Sequence, residues 1–170
     1  MRSILNPIFQ GVNLDMNGDY DELIRKHFKF LEEKFGFDFD ADKNFYWRDD
    51  LCIFITFELP IPVIEFWLLT EPEFTKLNFL WFLQAYEKSS ELRVDKKRYV
   101  EESFVYYANL LEKNLDVLLV NLPNLLVPAL KLFIQRSMVD YKLSVIQLLS
   151  MKGYKLILDY VKTKDPNWIL

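Results

Sequence analysis

Apolar residues recur at three- and four-residue intervals early in the chain. Tyr20, Leu23, Ile24, His27, Phe28, Leu31 and Phe35 would share one face of a helix over about residues 20–35. Asp19, with Glu22 three positions later, reads as a capping box, and Gly36 stands where a C-terminal cap belongs. The period then switches to two. Phe37, Phe39 and Ala41 alternate with Asp38, Asp40 and Asp42, the pattern of a half-buried strand. Aromatic and β-branched residues dominate 44–47, 51–57 and 63–69, with Arg48-Asp49-Asp50 and Leu59-Pro60-Ile61-Pro62 as turns between them. Connections this short cannot make a parallel crossover, so an antiparallel meander of three or four strands is expected.

From Thr75 onward the pattern reads as helical. Phe74 to Tyr86 is apolar almost all round and fits a buried helix or a strand; the reading taken is helix. Val100, Phe104, Tyr107, Ala108, Leu111, Leu115, Leu118 and Leu119 form a long apolar stripe in a helix opening near Asp95. Pro123 is expected to end it. A further helix would start near Pro128 and run to about Ser150, with a break around Ser137 to Tyr141. Gly153 then separates a last amphipathic stretch, Tyr154 to Lys162. The expectation is one α+β domain over residues 1–170: an N-terminal helix, a three- to four-stranded antiparallel meander, then a helical C-terminal half. Helix and sheet occupy about residues 20–94, and the helical part, about 95–170, packs on them.

Composition adds one emphasis. A chain of 170 residues suits a single domain, which buries roughly 70% of the unfolded surface on folding. Aromatic residues make up 16% of it, with 15 phenylalanines, and each large ring buries roughly 150–250 Å². Such a composition argues against disorder and for an aromatic core. Charge is unevenly spread: residues 1–122 hold 14 Lys/Arg against 22 Asp/Glu, whereas residues 123–170 hold seven against three. An acidic body with a basic C-terminal third argues against general nucleic-acid binding and leaves open an acidic surface that meets a basic protein partner.

No signal peptide is expected at the N-terminus, where the apolar stretch is too short. The charge-free run from Val117 to Leu130 is interrupted by Asn121, Pro123, Asn124 and Pro128, and falls short of the ~18–20 residues a membrane span needs. A cytoplasmic location and no membrane partner follow as expectations.

Candidate chemistry is sparse. Cys52 cannot form an internal disulfide and reads as a small buried hydrophobe. His27 is the single histidine, so no two-histidine metal or catalytic arrangement exists within one chain, and its place on an apolar helix face reads as structural. Four glycines (Gly11, Gly18, Gly36, Gly153) form no phosphate-cradling loop. Asn13 to Asp21 resembles the start of an EF-hand loop, but its twelfth position is Ile24 rather than Glu; a polar turn into a helix cap is the simpler reading. No cofactor or metal is expected, and 25 acids offer too many carboxylate pairs to nominate a glycosidase dyad. Lys96-Lys97-Arg98 precedes Glu101-Glu102 at helical spacing and reads as an internally paired helix start.

Two clusters remain. Asp38, Asp40, Asp42, Asp49 and Asp50 gather acid at a sheet edge, where they could supply oxygen ligands to a cation or meet a partner; a solvated strand face is the simpler reading. Phe45-Tyr46-Trp47, Phe66-Trp67 and Trp81-Phe82 read mostly as core. At most half of each strand run can share one surface, since strand neighbours face opposite ways.

Residues 23–37 (LIRKHFKFLEEKFGF) and 99–113 (YVEESFVYYANLLEK) resemble segments of small bacterial proteins with an N-terminal helix, a meander and a following helix. Some of those are thought to be immunity proteins that neutralise toxins. The resemblance implies a non-enzymatic protein-binding domain and carries no functional residue across. The expectation is therefore a protein binder, immunity-like, using Asp38, Asp40, Asp42, Asp49 and Asp50. The alternatives are a small-ligand or enzyme site where the helices cover the aromatic sheet, and a homo-oligomer formed through the C-terminal helices.

Overall fold

A computed structural model describes residues 17–58 apart from Asp42 and Asn44, then 61–69, 75–88 and 100–170. Two helices open it: α1 (Asn17–Phe28) and the single turn α2 (Phe30–Glu33). Of the predicted face, Ile24, Phe28 and Leu31 are buried, and Phe30, which lies outside it, is buried as well. The described part of the helix begins at Asn17, so Asp19 lies within it rather than ahead of it. Gly36 ends this region at φ 67°, a conformation glycine adopts without strain, and Phe37 N–H closes the turn on the Leu31 carbonyl at 3.0 Å.

Five strands follow as an antiparallel meander: β1 (Asp38–Asp40), β2 (Phe45–Arg48), β3 (Leu51–Glu58), β4 (Ile61–Leu68) and β5 (Thr75–Asn78), paired in chain order. The fifth strand lies in the stretch read as helix. Its residues pair with β4 over Thr75–Asn78, and the period changes only at Asn78. There the Asn78 side chain accepts the Leu80 N–H at 3.0 Å and starts α3 (Phe79–Glu87). A mostly apolar run hid a strand and a helix joined by one capping residue.

The strands alternate as their period demands. Tyr46, Ile53, Ile55, Ile64, Phe66 and Leu77 face inward and are at most 3% exposed. Contacts with the helices run through this inner face. Phe57 stacks on Tyr20 of α1 at 4.2 Å, Phe66 meets Phe79 and Phe82 of α3, and Arg25 of α1 lies 4.6 Å over the Phe39 ring.

The helical half is organised by α4 (Val100–Asp140), one helix of 41 residues that runs through Pro123 and Pro128. Pro123 does not end it, which corrects the expected break. A proline inside a helix costs about 3 kcal/mol through a lost hydrogen bond and a ring clash. Leu118, Leu122, Leu125, Leu126, Ala129 and Leu130 are buried around the two prolines, and each buried leucine contributes roughly 1.5–3 kcal/mol. Burial outweighs the defect, and both proline rings sit on the exposed side. With the break gone, α4 is long and apolar enough to cross a membrane by length and composition. The same composition serves a core helix, and α4 packs against α3, β4, α1 and α6.

The break expected around Ser137 to Tyr141 is present. The chain turns after Asp140 with Lys142 at φ 52°, while Leu143 N–H bonds the Met138 carbonyl and Lys142 N–H bonds the Val139 carbonyl. Two helices close the chain, α5 (Val145–Ser150) and α6 (Lys152–Lys164). Gly153 falls in the first turn of α6 rather than before it. Leu158 and Val161 seat α6 on the core, Tyr154 stacks on Phe133 at 5.6 Å, and Lys131 pairs with Asp165.

Candidate functional site

A two-residue turn, Asp49-Asp50, sets the register of the sheet. It places Arg48 opposite Leu51 and therefore Trp47 opposite Cys52 and Phe45 opposite Phe54. Carried across all five strands, this register builds two rows on the outer face, the side turned away from the helices. One row is Asp38, Trp47, Cys52, Trp67 and Lys76; the other is Asp40, Phe45, Phe54, Glu65 and Asn78.

The outer face is aromatic at its centre. Phe45 stacks on Phe54 at 5.0 Å and Phe54 on Trp67 at 4.1 Å, both nearly parallel. Trp47 is 44% exposed, whereas Cys52 between Trp47 and Trp67 is buried. Burial pushes the Cys52 thiol up from its ordinary value, so it is protonated and unreactive at neutral pH. Phe45, Phe54 and Trp67 are half-buried, and the three rings stack on one another.

The acids lie at one margin of this face. Asp38 and Asp40 sit on β1, opposite Trp47 and Phe45 in the register. Asp49 and Asp50 form the β2–β3 turn, both exposed, with Asp49 at φ 51° and the Asp50 carbonyl accepting Leu69 N–H at 2.8 Å. The sheet thus brings Asp38, Asp49 and Asp50 to the end where Trp47 is exposed. Asp40 lies two residues further along β1, about 7 Å away by strand geometry. Asp42 lies outside the described residues. Two cations offset part of the charge: Lys43 Nζ is 3.8 Å from Asp40 Oδ2, and Arg48 Nε is 3.7 Å from Asp49 Oδ2.

The three aromatic runs divide as strand parity requires. Tyr46, Phe66 and Phe82 are in the core, Phe45, Trp47 and Trp67 are on the outer face, and Trp81 meets Phe133 of α4 edge-on at 5.9 Å. Phe54 belongs to the outer face and was not singled out from the sequence. Its parity in β3 and the length of the Asp49-Asp50 turn were the available signal.

Among the described residues no group of His, Cys, Asp and Glu has metal-binding geometry. The calcium-like stretch is partly helix, since Asn17 to Asp21 lie in α1, and its first four residues fall outside the described chain. His27 is wedged between α1 and α4, its ring 6.4 Å from Phe104 and its Nε2 3.5 Å from Glu101 Oε1. Lys26 pairs with the same Glu101 at 2.5 Å and holds that carboxyl below its ordinary value. Glu101 therefore serves a clasp between α1 and α4; the basic triplet Lys96-Lys97-Arg98, expected to pair with it, lies outside the described residues.

Fold and surface together define an α+β protein in which, among the described residues, helices pack on one face of the antiparallel sheet and the other face carries the aromatic rows with acids at their margin. No family model, curated protein or solved structure matches the chain.

Proposed function

We propose that this chain is a non-catalytic protein-binding domain whose outer sheet face docks a basic partner. The observation that carries the reading is the register: Asp38 and Asp40 stand opposite Trp47 and Phe45 beside a stacked ladder of rings. Exposed tryptophan is the side chain most often found at the energetic centre of an interface. Carboxylates at its margin speed encounter with a positively charged partner and disfavour acidic ones. Neutralisation of a basic toxin, which the resemblance to immunity proteins implies, is one form this function would take.

The alternative, a small ligand between sheet and helices, draws no support from the packing there. Phe28, Phe66, Phe79, Phe82, Phe104 and Tyr107 fill that layer and are each at most 1% exposed.

The test is affinity capture from the source cell with the wild-type chain and with two variants, Trp47→Ala and Asp38→Asn/Asp49→Asn. Asparagine tolerates the positive φ at position 49, so the double variant removes charge without straining the turn. A basic protein should be recovered stoichiometrically at low salt, released at high salt, and lost with either variant. Capture that is indifferent to both variants contradicts the reading.

A further inference from the structure

Rings and carboxylates recur together at the β1–β2 end of the sheet, and the chain's own cations sit beside them. Arg48 lies 4.9 Å over the Phe37 ring, and its Nε is 3.7 Å from Asp49 Oδ2. Lys43 Nζ lies 5.9 Å over the Phe45 ring and 3.8 Å from Asp40 Oδ2. A cation over an aromatic face is drawn to the negative charge of that face, and a carboxylate beside the ring adds its own attraction.

The register repeats the second arrangement two residues along. Asp40 stands opposite Phe45, and Asp38 stands opposite Trp47 on the same face. Directly opposed residues of an antiparallel pair have Cβ atoms about 4.5–5.5 Å apart, so one cationic group can touch both side chains. Among the described residues Asp38 is in no ion pair and no cation lies over Trp47. Asp38 is exposed and Trp47 is half-exposed, so the pair is open to a cation from outside.

We infer that Asp38 and Trp47 form the seat for an arginine side chain of the basic partner. This rests on the docking reading above and names the group that the face recognises. Indole is the best ring for a cation. A planar guanidinium lies flat on it while two N–H groups donate in parallel to a carboxylate; an ammonium is a point charge that holds its water more tightly. The Asp40–Phe45 pair is already served by Lys43, which directs the incoming arginine to the Trp47 end.

Amide NMR of the full chain tests this with acetyl-Gly-Arg-Gly-amide and with the same peptide carrying lysine or citrulline, the last a neutral copy of arginine's shape. The arginine peptide should saturably shift the Asp38 and Trp47 amide signals and the Trp47 indole N–H. Lysine should bind at least about threefold more weakly, and citrulline not measurably. Asp38→Asn should weaken arginine binding about fivefold, and Trp47→Leu about threefold, with the spectra themselves reporting that both variants are folded. Three results would overturn the inference: no saturable shift at either residue, lysine or citrulline binding as well as arginine, or arginine binding that survives either substitution undiminished. If affinity capture yields a Trp47-dependent basic partner while the peptides give any of these results, the docking face stands and the arginine seat does not. Peptides that bind as expected, with no basic partner captured, would support the seat and remove the docking reading.

Discussion

Trp47 stands opposite Asp38 across the β1–β2 pair, on the face of the sheet away from the helices, while its chain neighbour Tyr46 is fully buried on the other. The two residues separate binding from stability. Trp47→Ala should lower the unfolding free energy by less than about 1.5 kcal/mol, because only cross-strand contacts are lost. Tyr46→Ala should cost about 3–5 kcal/mol through the cavity it leaves. Urea denaturation of the two variants distinguishes them.

Tyr46 carries a second prediction. Its hydroxyl has no hydrogen-bond partner among the described residues, and burial, helped by Glu32, pushes its pKa well above the ordinary 10. An unsatisfied buried hydroxyl costs about 1–3 kcal/mol, so Tyr46→Phe should leave stability unchanged or raise it. The raised value also has a pH consequence. Below pH 10 the phenol is protonated in folded and unfolded chains alike; above it only the unfolded chain releases the proton, so stability falls as pH rises. The Phe variant should lose that part of the alkaline slope in denaturation curves measured across pH 9 to 11.

Pro123 tests the continuity of α4. In an unbroken helix, Pro123→Ala restores a backbone hydrogen bond and removes a clash, so it should stabilise by up to about 3 kcal/mol. Were the helix to end there, alanine would gain nothing or destabilise. A shift in urea midpoint with unchanged helical circular dichroism is the expected result.

The α1–α4 clasp predicts an acid-limb effect. Lys26, with His27 as a smaller contributor, holds the Glu101 carboxyl below its usual 4.5. A depressed carboxyl contributes stability that is complete above its unfolded value and is lost as pH falls through the folded one. Glu101→Gln should therefore melt lower than wild type at pH 7, with the gap closing in acid and shrinking in high salt. A gap independent of pH would show that the pair contributes nothing.

Much of this fold was legible in the sequence because it rests on local period. The face of α1, the alternation along β1 to β4 and the stripe on α4 follow from spacing alone, as does the use of Gly36 as a turn. What spacing could not carry was competition between effects. Phe74 to Tyr86 has no polar side to mark its period, so β5 and the Asn78 cap inside it were hidden. Pro123 reads locally as a stop, and only the leucines buried around it show why it is overridden. The acids Asp38, Asp40, Asp49 and Asp50 were recognisable as a cluster, but their alignment with Trp47 and Phe45 depends on cross-strand register. Phe54 was missed for the same reason.

The central claim is that Trp47 and its acidic margin form a docking face. The most direct measurement is a calorimetric titration of the captured basic partner into wild-type chain and into Trp47→Ala, with both confirmed folded. A central interface tryptophan contributes about 2 kcal/mol or more, so the variant should bind at least about 30-fold more weakly. Undiminished affinity in Trp47→Ala would contradict the account.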